Sequence, residues 1–331
     1  MMEKLIFLLV GFLLLSCSGQ KMEKYKPETK VFETTINKPL PIFNEDSAYI
    51  FVEHQVQFGP RVPNTKAHRT CSRYLAEKLK RYGANVSVQE VILTAYNGDH
   101  LQASNIIGVF NPEQMKRVLL FAHWDSRPYS DWDPDVKNHY KPIDGADDGA
   151  SGVGVLLEIA RQIGIHGIGI GVDIIFFDAE DYGAPHFTNY NTQDTYCLGS
   201  QFWAKNPHVE NYEAEYGILL DMVGNNNAAF YKESYSMSYA EPIVERVWNT
   251  AKNIGFGRFF INENVGKIID DHLFVIQGRG IPCIDVINND LSTPHHFGNY
   301  WHTQQDKMDK ISPKTLKAVG QTILEVIYSN S

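Results

Sequence analysis

Apolar residues return along this chain in two rhythms. In SAYIFVEHQVQF (47–58) and TKAHRTCSRYLAEKLKRYG (65–83) they recur every three or four positions, which predicts two helices, the second closed by Gly83 just beyond its last turn. Shorter apolar runs follow, and VSVQEVIL (86–93), ASNIIGVF (103–110) and RVLLFAH (117–123) predict strands. The pattern then alternates. SGVGVLLEIARQI (151–163) predicts a helix, VDIIFF (172–177) and YGILLDMV (216–223) strands, PIVERVWNTAKNIG (242–255) a helix, IPCIDVI (281–287) a strand and PKTLKAVGQTILEVIY (313–328) a last helix. No internal repeat and no linker-like break interrupts the series. It predicts one α/β domain over residues 43–331 with a mostly buried central sheet, a type of fold that places its sites beyond the ends of strands.

The N-terminus follows different rules. Lys4 precedes the apolar run LIFLLVGFLLL (5–15), too short to span a bilayer and suited to a signal segment. The run ends in LLSC, which resembles a bacterial lipobox, so residues 1–17 are expected to be a lipoprotein leader whose Cys17 is lipidated. Polar residues 18–42 would then be a tether. With Ser18 after the cysteine, the expected location is the periplasmic side of a bacterial membrane, the outer one in preference. Composition adds an exclusion: a net charge of -9 without a Lys/Arg cluster argues against nucleic acid as a partner. Cys71, Cys197 and Cys283 remain, an odd number without metal-site spacing, and no disulfide framework can be read from them.

Chemistry gathers where apolar runs stop. IIFFDAED (174–181) carries Asp178, Glu180 and Asp181 at the end of a buried strand, where like charges need a cation or shared protons. In such an irregular segment Glu180 and Asp181 face different ways, so one can hold metal while the other reaches substrate. AHWDSRP sets His123 and Asp125 two apart, on the same side of an extended segment. DGADDGASG is a Gly/Asp turn with an N-cap opening a helix from Ser151, a description that leaves the adjacent Asp147 and Asp148 unexplained. LLDMVG ends in Asp221, IIDDHLF holds Asp270 and Asp271 before His272, and YWHTQQD sets His302 after Trp301. Each alone is ordinary surface chemistry; six in one chain are not.

The order FGPRVPNT, HWDSRP, GADDGASG, FFDAED, LLDMVG, DDH and WHT resembles the glutaminyl-peptide cyclotransferases, zinc glutaminyl cyclases built on the zinc aminopeptidase fold. The similarity covers nearly the whole chain after the leader. It implies a three-layer sandwich around a mostly parallel, mixed sheet, and a single Zn²⁺ held by Asp148, Asp181 and His302. It further implies Glu180 as the acid/base, Asp221 and Asp270 as inner aspartates hydrogen-bonded around the reacting amide, and Trp301 as an aromatic wall of the pocket. Animal cyclases carry Glu where this chain has Asp181, and the segment from Gly183 to Tyr196 matches poorly. The implied substrates are peptides and proteins with N-terminal glutamine, closed to pyroglutamate by a monomer that meets the membrane only through its lipid anchor.

Charge counting leaves a question. Asp148, Glu180, Asp181, Asp221 and Asp270 against one Zn²⁺ leave -3, so either protons are shared or a second metal binds. His123 and Asp221 are assigned to hydrogen bonds around the first metal, and they also match ligands of a second one in two-zinc aminopeptidases. A periplasmic aminopeptidase, using Glu180 to activate water, and a catalytically silent peptide-binding lipoprotein are therefore the alternatives. His295 and His296 are competing ligands, read as rim or packing groups of a Pro/Gly-marked loop.

Overall fold

The computed structural model describes residues 40–190 and 194–329; the leader with Cys17, and the tether as far as residue 39, lie outside the described residues. The strands are β1 (Asn85–Thr94), β2 (His100–Phe110), β3 (Arg117–His123), β4 (Gly171–Phe177), β5 (Gly217–Asp221), β6 (Phe230–Lys232), β7 (Phe260–Asn264) and β8 (Cys283–Ile287). The helices are α1 (Glu45–Gln57), α2 (Lys66–Arg81), α3 (Ala150–His166), α4 (Leu198–Lys205), α5 (Ser234–Asn253), α6 (Asp271–Arg279) and α7 (Pro313–Tyr328). Local chemistry explains several boundaries. Asn44 caps α1 by accepting from the Ser47 N–H, Thr65 caps α2 by accepting from the His68 N–H, and Gly83 takes the left-handed φ of 94° that ends α2.

One sheet runs β1-β2-β4-β3-β5-β8, in which β4, β3, β5 and β8 are parallel and the β1-β2 hairpin joins antiparallel to β4. Alternation along the strands makes the layers. Val118, Leu120 and Ala122 of β3, with Ile174 and Phe176 of β4, enter a core built with α1, α2, α3, α5 and α7. Their neighbours Leu119, Phe121, Ile175 and Phe177 face Trp203 of α4 with Val275 and Ile276 of α6. Each such side chain contributes roughly 1.5–3 kcal/mol by burial, so a one-residue slip that exchanged the faces would be strongly opposed. No helix among the described residues is long and apolar enough to cross a membrane.

Two features depart from the periodic reading. Helix α5 begins at Ser234, not at Pro242: the chain passes the proline by a kink in which Ala240 leaves helical dihedrals, and Glu233 caps the new start. Helices α4 and α6, which form the second face, have only eight and nine residues, too few for a 3.6-residue rhythm to stand out. The DDH segment is therefore not a strand end, because Asp270 is the N-cap of α6. The other opening differs too: α3 starts at Ala150, and its cap is Gly149, with no side-chain bond.

Candidate active site

Parallel strands bring their C-terminal ends to one edge, with His123 opposite Phe177 and Asp221 opposite Ile287. The turns beyond that edge gather the acidic motifs. Asp125 organises the first of them: its carboxylate accepts the N–H groups of Glu180 and Asp181, both at 3.1 Å, across a turn where Ala179 has a φ of 52°. It also lies 3.4 Å from His123 Nδ1, within ion-pair range but without hydrogen-bond alignment. Asp147 and Asp148 part company. Asp147 turns inward to accept from the Gly224 N–H and the Tyr300 hydroxyl, a structural anchor, whereas Asp148 faces the opening. Asp306 holds this turn by accepting the N–H groups of both. Gly149 is required beside them, since a Cβ there would meet the Asp125 carbonyl at 2.8 Å.

Donor atoms of Asp148, Asp181 and His302 lie together, all within 4.8 Å of one another. His302 Nε2 is 3.5 Å from Asp148 Oδ2 and 3.3 Å from Asp181 Oδ1. Tetrahedral zinc with bonds of about 2.0–2.1 Å separates its ligand atoms by about 3.3–3.4 Å. One imidazole and two carboxylates, with Asp181 Oδ2 buried and unpartnered, thus fit the ion by chemistry and spacing. A second trio adjoins it. His123 Nε2 is 3.1 Å from Asp148 Oδ1 and 3.2 Å from Asp221 Oδ1, so Asp148 offers one oxygen to each cluster. His295 and His296 belong to neither and line the cavity mouth.

Three residues that the motifs did not single out complete the support. Arg127, wholly buried, makes a two-armed pair with Asp131 at 2.7 and 2.9 Å and donates to the carbonyl of Asp181 at 3.0 Å. Asp131 in turn lies 3.4 Å from His302 Nδ1, on the side away from the two carboxylates. Asp285, inside β8, has both oxygens buried and unpartnered and sits 4.0 Å from the equally unpartnered His272 Nδ1. Arg127 stands in the HWDSRP motif itself, but its partner lies four residues on, where sequence gives no sign of pairing.

Electrostatics answers the charge count. Burial, with the charges of Asp181, Asp270 and Asp271, pushes Glu180 well above the ordinary Glu range despite His123. Burial with Asp221 and Asp271 does the same to Asp270, and burial with Asp270 and Asp221 to Asp285, so each of these carboxyls disfavours a further negative charge. Burial and Arg127 oppose a proton on His302, but Asp181, Asp131 and Asp148 prevail and hold it up to about 10. The cluster stabilises positive charge at its centre, a proton or a cation. His123 is raised likewise, by Asp125, Asp148 and Asp221 against its burial.

Above the cluster opens a cavity of about 470 Å³. Trp301 lines it and stacks on His302 at 3.6 Å; Trp132, unmarked in the sequence reading, leans on Trp301 at 5.9 Å and stacks on His186 at 4.4 Å. Glu180, Asp221 and Asp270 line the floor, and His186 and Tyr196 bring in the poorly matching segment. Cys71, Cys197 and Cys283 are free and buried.

Residues 105–327 match the family model of peptidase family M28. The chain belongs to this family. A glutaminyl cyclase from Tannerella forsythia is 63% identical, with 88% of this chain and 100% of that one covered and a TM-score of 0.87. A Zn-dependent exopeptidase from Parabacteroides distasonis is 64% identical over 87% of this chain and 99% of its own, also with a TM-score of 0.87. The glutaminyl-peptide cyclotransferase of Bos taurus is 23% identical over 296 residues, 80% of this chain and 77% of that protein. The sheet is the mixed, mostly parallel one of an M28 zinc exopeptidase.

Proposed function

We infer that this M28 member is a glutaminyl-peptide cyclotransferase, which closes the N-terminal glutamine of peptides and proteins to pyroglutamate and releases ammonia. The observation that carries the reading is Asp270 beside Glu180: the α6 cap brings a second carboxyl within 4.8 Å of the base in a cavity walled by Trp301, and similarity to a glutaminyl cyclase over 88% of this chain agrees with it. Asp148, Asp181 and His302 are the residues we assign to zinc, one ion per chain. When bound there, zinc supplies Lewis-acid polarisation of the γ-carbonyl.

The remaining work falls to the chain. Trp301 and Trp132 fold the glutaminyl side chain back over its own α-nitrogen and exclude water, which makes the attack intramolecular. Asp270 donates a hydrogen bond to the γ-amide. Glu180 takes a proton from the α-nitrogen as the new C–N bond forms, then gives it to the γ-nitrogen as the old C–N bond breaks, so ammonia leaves and no water is consumed. His123 bridges Asp148 and Asp221 at 3.1 and 3.2 Å, and in the one-metal assignment it serves there as a hydrogen-bonding group beside the zinc ligands.

A second reading has its own support in the second trio. With zinc at His123, Asp148 and Asp221 as well, Glu180 would activate water for an aminopeptidase, as the likeness to a Zn-dependent exopeptidase suggests. Zinc-loaded protein incubated with Gln-Xaa and Leu-Xaa peptides separates the two. Cyclisation removes one ammonia from the glutamine peptide and leaves the leucine peptide whole, with about one zinc per chain; release of free leucine, with about two zinc per chain, overturns the cyclase reading. We also propose that Cys17 is lipidated and tethers the domain on the periplasmic side of a bacterial membrane, the outer membrane in preference, on the strength of the LLSC sequence after an apolar run.

A further inference from the structure

All proton traffic in the cyclase reading passes through Glu180, so the grip on that one carboxyl matters. Three rotatable bonds separate it from the backbone. Asp181, Asp270 and Asp271 act on it through their charge, which disfavours its ionised form and fixes no direction for the carboxyl. Cys197 meets it. Its thiol donates to Glu180 Oε1 at 3.1 Å, and Glu180, Cys197 and Asp270 bring their polar atoms within 4.8 Å of one another.

The thiol is itself fixed by backbone. The Cys197 N–H donates to the carbonyl of Glu180 at 2.8 Å and the Leu198 N–H to that of Ala179 at 3.1 Å, which straps the start of α4 against the turn that carries the base. Cys197 has a φ of 58°, a left-handed conformation uncommon in residues other than glycine and stored where a site needs it. It is fully buried, and burial with Glu180 and Asp271 keeps its proton on sulfur. Cys71 and Cys283, the other buried thiols, sit in the two apolar cores.

We propose that Cys197 is a positioning residue: its thiol aims the Glu180 carboxyl at the substrate nitrogens. This rests on the cyclase reading. A thiol is a weak donor, so it aligns the carboxyl without competing for the proton in transit.

The test uses the zinc-loaded chain, a Gln-Xaa peptide, and the variants Cys197→Ala and Cys197→Ser. Cys197→Ala is expected to lower kcat about tenfold, with KM within about twofold and zinc content unchanged. Cys197→Ser restores a donor and brings kcat back to within about threefold. A Raman S–H band, obtained as the difference between the parent and Cys197→Ser, should lie below the free-thiol position and rise to it in Glu180→Ala; this measurement decides if Cys197→Ala does not fold. Unchanged kcat in Cys197→Ala, a Ser variant as slow as the Ala variant, a loss confined to KM, or a free-thiol Raman band would each overturn the inference while the parent still cyclises glutamine. A parent that never cyclises glutamine overturns the cyclase reading and this inference with it.

Discussion

Asp131→Asn tests how the proposed zinc ligand His302 is supported. Asp131 takes both arms of Arg127 at 2.7 and 2.9 Å, accepts the His186 N–H at 3.0 Å and lies 3.4 Å from His302 Nδ1. Burial would raise its carboxyl, but His302 and Arg127 hold it far below the usual range, so it carries a full negative charge. Asparagine keeps the volume and one acceptor while turning the other oxygen into a donor aimed at a guanidinium. Breaking a buried pair outright costs about 3–5 kcal/mol. Half of the pairing survives, so about 2 kcal/mol is expected, a fall in melting temperature of roughly 3 °C for a chain of this size. The second effect is separate. Loss of the carboxylate that orients a ligating imidazole lowers zinc affinity about 10–100-fold, or about 1.4–2.8 kcal/mol. Competition against a chromophoric chelator reads the zinc affinity, and melting of the zinc-loaded and zinc-stripped forms reads the stability. A lower melting temperature with zinc affinity within about twofold of the parent would refute the link to His302 and leave Asp131 as a partner of Arg127 alone.

His302→Ala and Asp148→Ala should each lose zinc and turnover together, whereas Glu180→Gln should keep zinc and lose turnover; metal analysis beside ammonia release checks this, and loss of metal in Glu180→Gln would exchange the roles of Glu180 and Asp181. Glu233 accepts the N–H groups of Tyr235, Ser236 and Ile268 and contacts His272; burial would raise its pKa, but His272, with the Tyr235 and Ser236 N–H groups, brings it below the ordinary value. Its contribution is complete above the ordinary Glu value of 4.5 and fades as pH falls through the lowered one. Glu233→Gln should therefore cost about 1.5–3 kcal/mol in urea unfolding at pH 7 and progressively less in acid, and a deficit independent of pH would contradict the charge argument. Cys17→Ala should release the chain from membranes with soluble activity unchanged, and equal membrane retention of that variant removes the lipid anchor.

Periodicity alone was enough for β1 to β5, β8 and the helices α1, α2, α3 and α7, because alternation of period two or 3.6 is a local property that burial on one or two faces writes directly into the chain. Motif order carried the resemblance to the zinc cyclases, and with it the proposed ligand set of Asp148, Asp181 and His302, because each of the three stands in a short motif that keeps its own local sequence. Fold alone decided other matters. Asp147 and Asp148 are indistinguishable in sequence, and they are told apart by Tyr300, 153 residues away from Asp147, which takes one of them inward. His302, His295 and His296 offer the same imidazole, yet one faces Asp148 and Asp181 while the others rim the cavity. The excess charge in the sum over motifs is offset by Arg127 and His123, which lie among the carboxylates, and by like-charged neighbours that disfavour ionisation of Glu180 and Asp270. Such pairings depend on distances between segments far apart in the chain, and a residue's neighbours in space leave no periodic trace among its neighbours in sequence.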